Sequence, residues 1–78
     1  MRVTIIHTSN YDVRVHAADC RDIPKDLKRR DYLSSWTIEA DTEQQVANDA
    51  WSDFVGESMT EKQAMEYCHF LPCCKELT

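Results

Sequence analysis

At residue 41 the hydrophobic pattern changes period, so the chain must combine a sheet with helices. Before that point Trp36, Ile38 and Ala40 alternate with Ser35, Thr37 and Glu39, the two-residue repeat of a half-buried strand over Ser34 to Ala40. Beyond it Val46, Ala47, Ala50, Trp51, Phe54 and Val55 fall on one helical stripe. Thr42 with Gln45 three residues later forms a capping box, whose two side chains satisfy N–H groups that a helix start leaves unpaired. Gly56, the only glycine, stands where a left-handed C-terminal cap is expected.

The flanking segments follow the same logic. Val3 to His7 and Tyr11 to His16 are β-prone runs separated by Thr8-Ser9-Asn10, a turn-forming cluster, and read as an antiparallel hairpin. Asp22-Ile23-Pro24 announces a helix, because proline is tolerated at a first helical position. That helix is expected to reach about Arg30 with Ile23 and Leu27 buried. Thr60 and Gln63 repeat the capping-box spacing, predicting a short helix from Glu61 to Tyr67 with Ala64, Met65 and Cys68 inward. His69 to Cys73 contains Pro72 and reads as an extended edge segment. The order β-β-α-β-α-α-β predicts an α+β fold in one domain over residues 1–78. A small mixed sheet would have its helices packed on one face, with a parallel crossover between the second and third strands.

Size and charge narrow the function classes. A 78-residue chain with 42% hydrophobic residues buries only a modest core, so anything that staples it has leverage on its stability. A net charge of −5 opposes nucleic acid and anionic membranes and favours a basic partner. The run Lys25 to Arg30 leaves that balance intact, because Asp26 interrupts it and Asp31 follows it; a mixed-sign run reads as a solvated helix face. No stretch approaches the length of a membrane span, and the N-terminus lacks the apolar core of a secretory signal, so the expectation is cytoplasmic. Four cysteines in a reducing compartment read as thiols or metal ligands, while their even number leaves a two-bridge secreted domain as the alternative.

The chemistry-bearing residues form a doubled pattern. His16 is followed four positions later by Cys20, and His69 by Cys73, which together make the ligand inventory of one tetrahedral Cys2His2 site. Zinc is the natural metal, because it accepts imidazole nitrogen and thiolate sulfur together. Cys68 and Cys74 are substitute ligands. The spacing departs from zinc-finger knuckles, and two other readings stand beside it: cysteines as small buried apolar residues, or a Cys20–Cys73 bond under oxidation. The metal and the bond both need the exit of the second strand beside the final extended segment, whereas thiols buried singly among apolar groups do not. A thiol nucleophile is a further reading, with His16 and Arg21 near Cys20 and His69 beside Cys68. No nucleophile elbow, phosphate loop, dinucleotide fingerprint or carboxylate pair is present, so no catalytic activity is expected. Asp41, Glu43, Asp49, Asp53 and Glu57 around Trp51 are the solvated face of a core helix or an acidic protein-binding face that imitates nucleic-acid charge.

Through Val15-His16-Ala17-Ala18-Asp19-Cys20-Arg21-Asp22-Ile23, Ala50-Trp51-Ser52-Asp53-Phe54 and His69-Phe70-Leu71-Pro72-Cys73, nearly the whole chain resembles a family of small uncharacterised proteins of actinobacteria and their bacteriophages, without established activity. The resemblance implies a phage or prophage accessory protein in the host cytoplasm, with a cysteine near each end as the shared feature. Combined with the charge, it gives the expected function: non-enzymatic protein–protein contact with a host factor. The alternative is a zinc-stabilised binding module with a regulatory or nucleic-acid target.

Overall fold

In the computed structural model, which describes residues 1–78, the change of period becomes a direct passage from sheet to helix. Strands β1 (Arg2–Thr8) and β2 (Val13–Ala17) form the hairpin, followed by α1 (Ile23–Leu27) and β3 (Tyr32–Glu39). Helices α2 (Glu43–Ala50) and α3 (Glu61–Glu66) come next, and β4 (Cys68–Phe70) closes the order. The expected α+β class and element order are present. No helix is long and apolar enough to cross a membrane.

The four strands lie in the order β3-β1-β2-β4, a mixed sheet. β1 takes a central place because Val3 and Ile5 on one face and Ile6 on the other are all fully buried, so both faces need cover and both edges need partners. It pairs antiparallel with β2, Ile5 opposite Val15 and Thr4 opposite His16, and antiparallel with β3, Ile5 opposite Trp36. β2 and β3 therefore point the same way without touching, and the crossover through α1 steps over β1. The one parallel pair is β2 with β4, Val13 opposite Cys68 and Val15 opposite Phe70.

The core lies on the face that carries Val3, Ile5, Val13 and Val15, where Val46, Ala47, Ala50 and Trp51 of the α2 region, Ala64 of α3 and Cys74 of the tail close over it. Both expected capping boxes are formed: Thr42 accepts from the Gln45 N–H and Thr60 from the Gln63 N–H, each at 3.1 Å. The glutamine oxygens accept in return, from Thr42 at 3.2 Å and Thr60 at 2.9 Å.

Three local expectations are corrected. α2 stops at Ala50 rather than running through Val55, with Trp51 as its C-cap at φ −117° and ψ 30°, outside the helical range. Phe54 consequently leaves the core stripe and is exposed. Gly56 does adopt a left-handed φ of +90°, but in the turn where its N–H donates to Met59 O at 2.9 Å, not as the cap of α2. α1 is short, and Asp26 points inward while Leu27 is exposed. The reason lies in the sheet: α1 packs on the face opposite α2 and α3, where β2 presents Arg14 and His16, and their hydrogen bonds hold the Asp26 carboxylate inward.

The capping boxes give a direct test. Thr42→Ala and Thr60→Ala should each cost about 1 kcal/mol, lowering the melting temperature by about 4–8 °C, as read by circular dichroism. An unchanged melting point in both would show that the boxes are not needed to hold the helix starts.

Candidate metal centre

His16 lies near the end of β2 on the reverse face and is only 1% exposed. Its Nε2 lies 2.5 Å from Asp26 Oδ2, and the same oxygen accepts from Arg14 Nε at 2.9 Å. Arg29 Nη1 approaches the other Asp26 oxygen at 3.9 Å. Burial pushes the Asp26 carboxyl up, but hydrogen bonds from His16 and Arg14 outweigh it and hold the carboxyl below its usual range. An ionised carboxylate only accepts, so Nε2 is the protonated nitrogen. His16 Nδ1 is left buried with no hydrogen-bond partner.

The thiols reach this ring by two routes. After β2 the chain turns, with the Cys20 N–H donating to Ala17 O at 2.9 Å, which carries Cys20 back beside the strand end. From the other end of the sequence, the Leu71 N–H extends the parallel pairing to Val15 O at 3.0 Å and leads the tail along β2. The Cys73 sulfur then accepts from the Ala17 N–H at 3.3 Å. One ring nitrogen of His16 and the sulfurs of Cys20 and Cys73 lie within 4.8 Å of one another. With Nε2 committed to Asp26, Nδ1 is the nitrogen that remains to bind. A histidine whose other nitrogen is held by a carboxylate is the arrangement in which imidazoles ligate metals, since it fixes the tautomer and raises the ligand's basicity.

Three of the four expected ligands therefore converge, and His69 does not. The parallel register sets His69 opposite Arg14, two positions short of His16, and its side chain is exposed. The substitute ligands also fall away. Cys68 is paired opposite Val13 and packs toward the core, where burial pushes its thiol up to about 12 despite the nearby Trp51 indole N–H. Cys74 is buried, donates to Val15 O at 3.4 Å, and is pushed up to about 12 by desolvation and then by Cys73. The expected extended run does not reach Cys73: β4 ends at Phe70 and the chain turns through Pro72 and Cys73, where the Cys74 N–H donates to Leu71 O at 3.0 Å, setting Cys73 beside His16 while Cys74 meets the core.

All four cysteines are free thiols. At Cys20 the Asp22 N–H favours the thiolate, but desolvation and the Cys73 thiol outweigh it and raise the pKa. Cys20, Cys68 and Cys74 are thus displaced away from the ionisation that a nucleophile needs. The residue that sequence reasoning missed is Asp26. Its only signal was its interruption of a basic run, which a solvated helix face explains equally well.

No family model, curated protein or solved structure matches the chain.

The Asp26 network makes stability depend on acid. A carboxyl whose folded pKa is depressed contributes stability that is present above its unfolded value near 3.8 and lost as pH falls through the folded value. Asp26→Asn should cost about 2–3 kcal/mol at neutral pH and flatten the loss of stability below about pH 4. Denaturant melts of both proteins between neutral and acid pH check this; an acid limb of equal slope in the variant would assign it to other carboxyls.

Proposed function

We propose that this chain is a zinc-stabilised binding module, in which the metal is held by His16, Cys20 and Cys73 and clamps the C-terminal tail to the end of β2. The observation that carries the proposal is the His16 ring, one of whose nitrogens lies within 4.8 Å of two thiols that arrive from opposite ends of the sequence, and whose buried Nδ1 has no hydrogen-bond partner. A buried polar atom without a partner costs about 1–3 kcal/mol, and a metal would turn that liability into a bond. Asp26 would serve as the outer-shell anchor of the imidazole.

The donor set fits the ion. Zinc bonds of about 2.0–2.3 Å at tetrahedral angles place ligand atoms about 3.5–3.8 Å apart, so three atoms within 4.8 Å need to draw in by at most about 1.3 Å at the widest pair. Two sulfurs and one nitrogen favour a borderline or soft cation over magnesium or calcium. Three protein ligands leave one position for water or a donor from a partner.

The binding role rests on other support. The resemblance to proteins of actinobacteria and their phages, the net charge of −5 and the lack of a catalytic motif favour contact with a host protein, as a phage or prophage accessory factor.

Protein produced with zinc should retain about one equivalent by elemental analysis. Saturation at a hundredfold above Kd is worth about 2.7 kcal/mol, so a chelator should lower the melting temperature by about 10–20 °C. Cobalt in place of zinc should show sulfur-to-metal charge-transfer absorption. Cys20→Ser and Cys73→Ser should abolish both signals, whereas His69→Ala and Cys68→Ser should keep them. A protein that binds no metal and melts identically with zinc and with chelator overturns the proposal.

A further inference from the structure

At the end of β2 remote from the metal centre, four of the five exposed large hydrophobic side chains gather around one buried residue. Tyr11 is 68% exposed, Leu33 61%, Phe54 43% and Tyr67 40%, while Trp51 beneath them is 2% exposed. Tyr11 stacks on the indole with ring centres 6.3 Å apart and planes 14° from parallel. Phe54 and Tyr67 meet it edgewise or tilted at 5.9 and 5.8 Å. Between Tyr11, Leu33, Phe54 and Trp51 lies an open cleft of about 350 Å³, and Tyr11 and Phe54 also wall a groove of about 220 Å³ that reaches Tyr67. Single exposed apolar groups need no explanation, but a continuous aromatic patch does.

Tyr11 sharpens the point. Its φ of 55° is in the left-handed region, which costs an L residue with a bulky side chain about 1–2 kcal/mol. Asn10 stands beside it and is a residue type that enters that region more cheaply. The strained backbone holds one face of the ring against Trp51 and leaves 68% of the residue exposed, so most of its apolar area is open to a partner.

Charge identifies what would cover the patch. Residues 41–67 carry seven carboxylates against the single Lys62, so this part of the chain holds all of its net negative charge. Asp49 and Asp53 line a hollow that shares His7 and Phe54 with the aromatic cleft. Asp49 is engaged by Trp36 Nε1 at 2.7 Å, whereas Asp53 has no ion-pair partner. Ring faces attract cations, and carboxylates at the rim answer the same charge. Nucleic acid and anionic lipid are repelled by that rim. The chain's own basic segment is already answered, with Lys25 beside Asp22 and Arg29 paired to Asp31.

We propose that the cleft of Tyr11, Leu33, Phe54 and Tyr67, rimmed by Asp49 and Asp53, is a docking surface for a basic segment of another protein, whose arginine or lysine stems lie on the exposed rings. The proposal extends the contact part of the proposed function and is independent of the metal centre.

The test is titration of the full chain, zinc-loaded and metal-free, with three eight-residue peptides in which leucine alternates with arginine, glutamate or serine, followed by calorimetry at two salt concentrations. The arginine peptide should bind at least about tenfold more tightly than the other two, since rim charges act mainly through selectivity and salt dependence, and its binding should weaken as salt rises. Asp53→Lys and Phe54→Ser should each weaken it about fivefold or more. Tyr11→Gly should weaken it too while leaving the melting temperature unchanged or higher, because glycine relieves the backbone. That combination separates a docking residue from a structural one. Equal affinity for all three peptides, no arginine-peptide binding at millimolar concentration, or self-association that Asp53→Lys abolishes would each overturn the proposal. Because binding is read with and without zinc, failure of the metal proposal leaves this result interpretable.

Discussion

The register of β1 on β2 is the constraint on which the core and the metal centre both depend. With Ile5 opposite Val15 and Thr4 opposite His16, the odd positions of β2 feed the core and the even positions carry Arg14 and His16 to the reverse face. A slip of one residue would drive His16 among Val46 and Trp51 and set Val15 against Asp26. Fully buried Val3, Ile5, Val13 and Val15 make that slip expensive. The apolar face of the sheet therefore fixes the geometry of the polar one, although the two share no side chain.

The reverse face is held by charge more than by burial. α1 is a single short helix, and its inward residue is the Asp26 carboxylate between Arg14, His16 and Arg29. The molecule is thin, with extents of 34 × 29 × 16 Å, and the apolar core occupies one side of one small sheet. In such a body a clamp between the tail and β2 acts where hydrophobic area is scarce. The tail is already led there by parallel pairing with β2 and by the sulfur contacts of Cys73 and Cys74 with Ala17 and Val15. Metal ligation would add to a contact that the backbone has already arranged.

β2 also separates the two candidate sites. Beyond Val13 the hairpin turn presents Tyr11 over Trp51, and beyond Ala17 the chain presents Cys20 to Cys73. The central α2 region supplies Trp51 as the floor of the aromatic cleft and Asp49 as part of its acidic rim. Early termination of α2 is what permits this. A helix continued to Val55 would have carried Phe54 into the core stripe and removed one wall of the cleft.

Features that depend on neighbours in sequence were legible directly. The capping boxes at Thr42 and Thr60, the alternation at Trp36 and Ile38, and the hairpin around Ser9 all involve groups within a few residues, whose geometry is set by local hydrogen bonds and side-chain period. The sequence also raised the expectation that Cys20 and Cys73 could meet, through the doubled His and Cys spacing at the exit of the second strand and in the tail, but the pairing of β4 with β2 was needed to bring them together. Tertiary structure decided the rest: which strand β4 joins, that His69 faces Arg14 and solvent, and that Asp26 supports His16 in place of a second histidine ligand. It also left Phe54, expected on the core stripe, exposed beside Tyr11 and Tyr67, while Trp51 kept its core position. The physical reason is that strand order, register and the orientation of a charged helix are settled by burial summed over the whole sheet, which no local window contains.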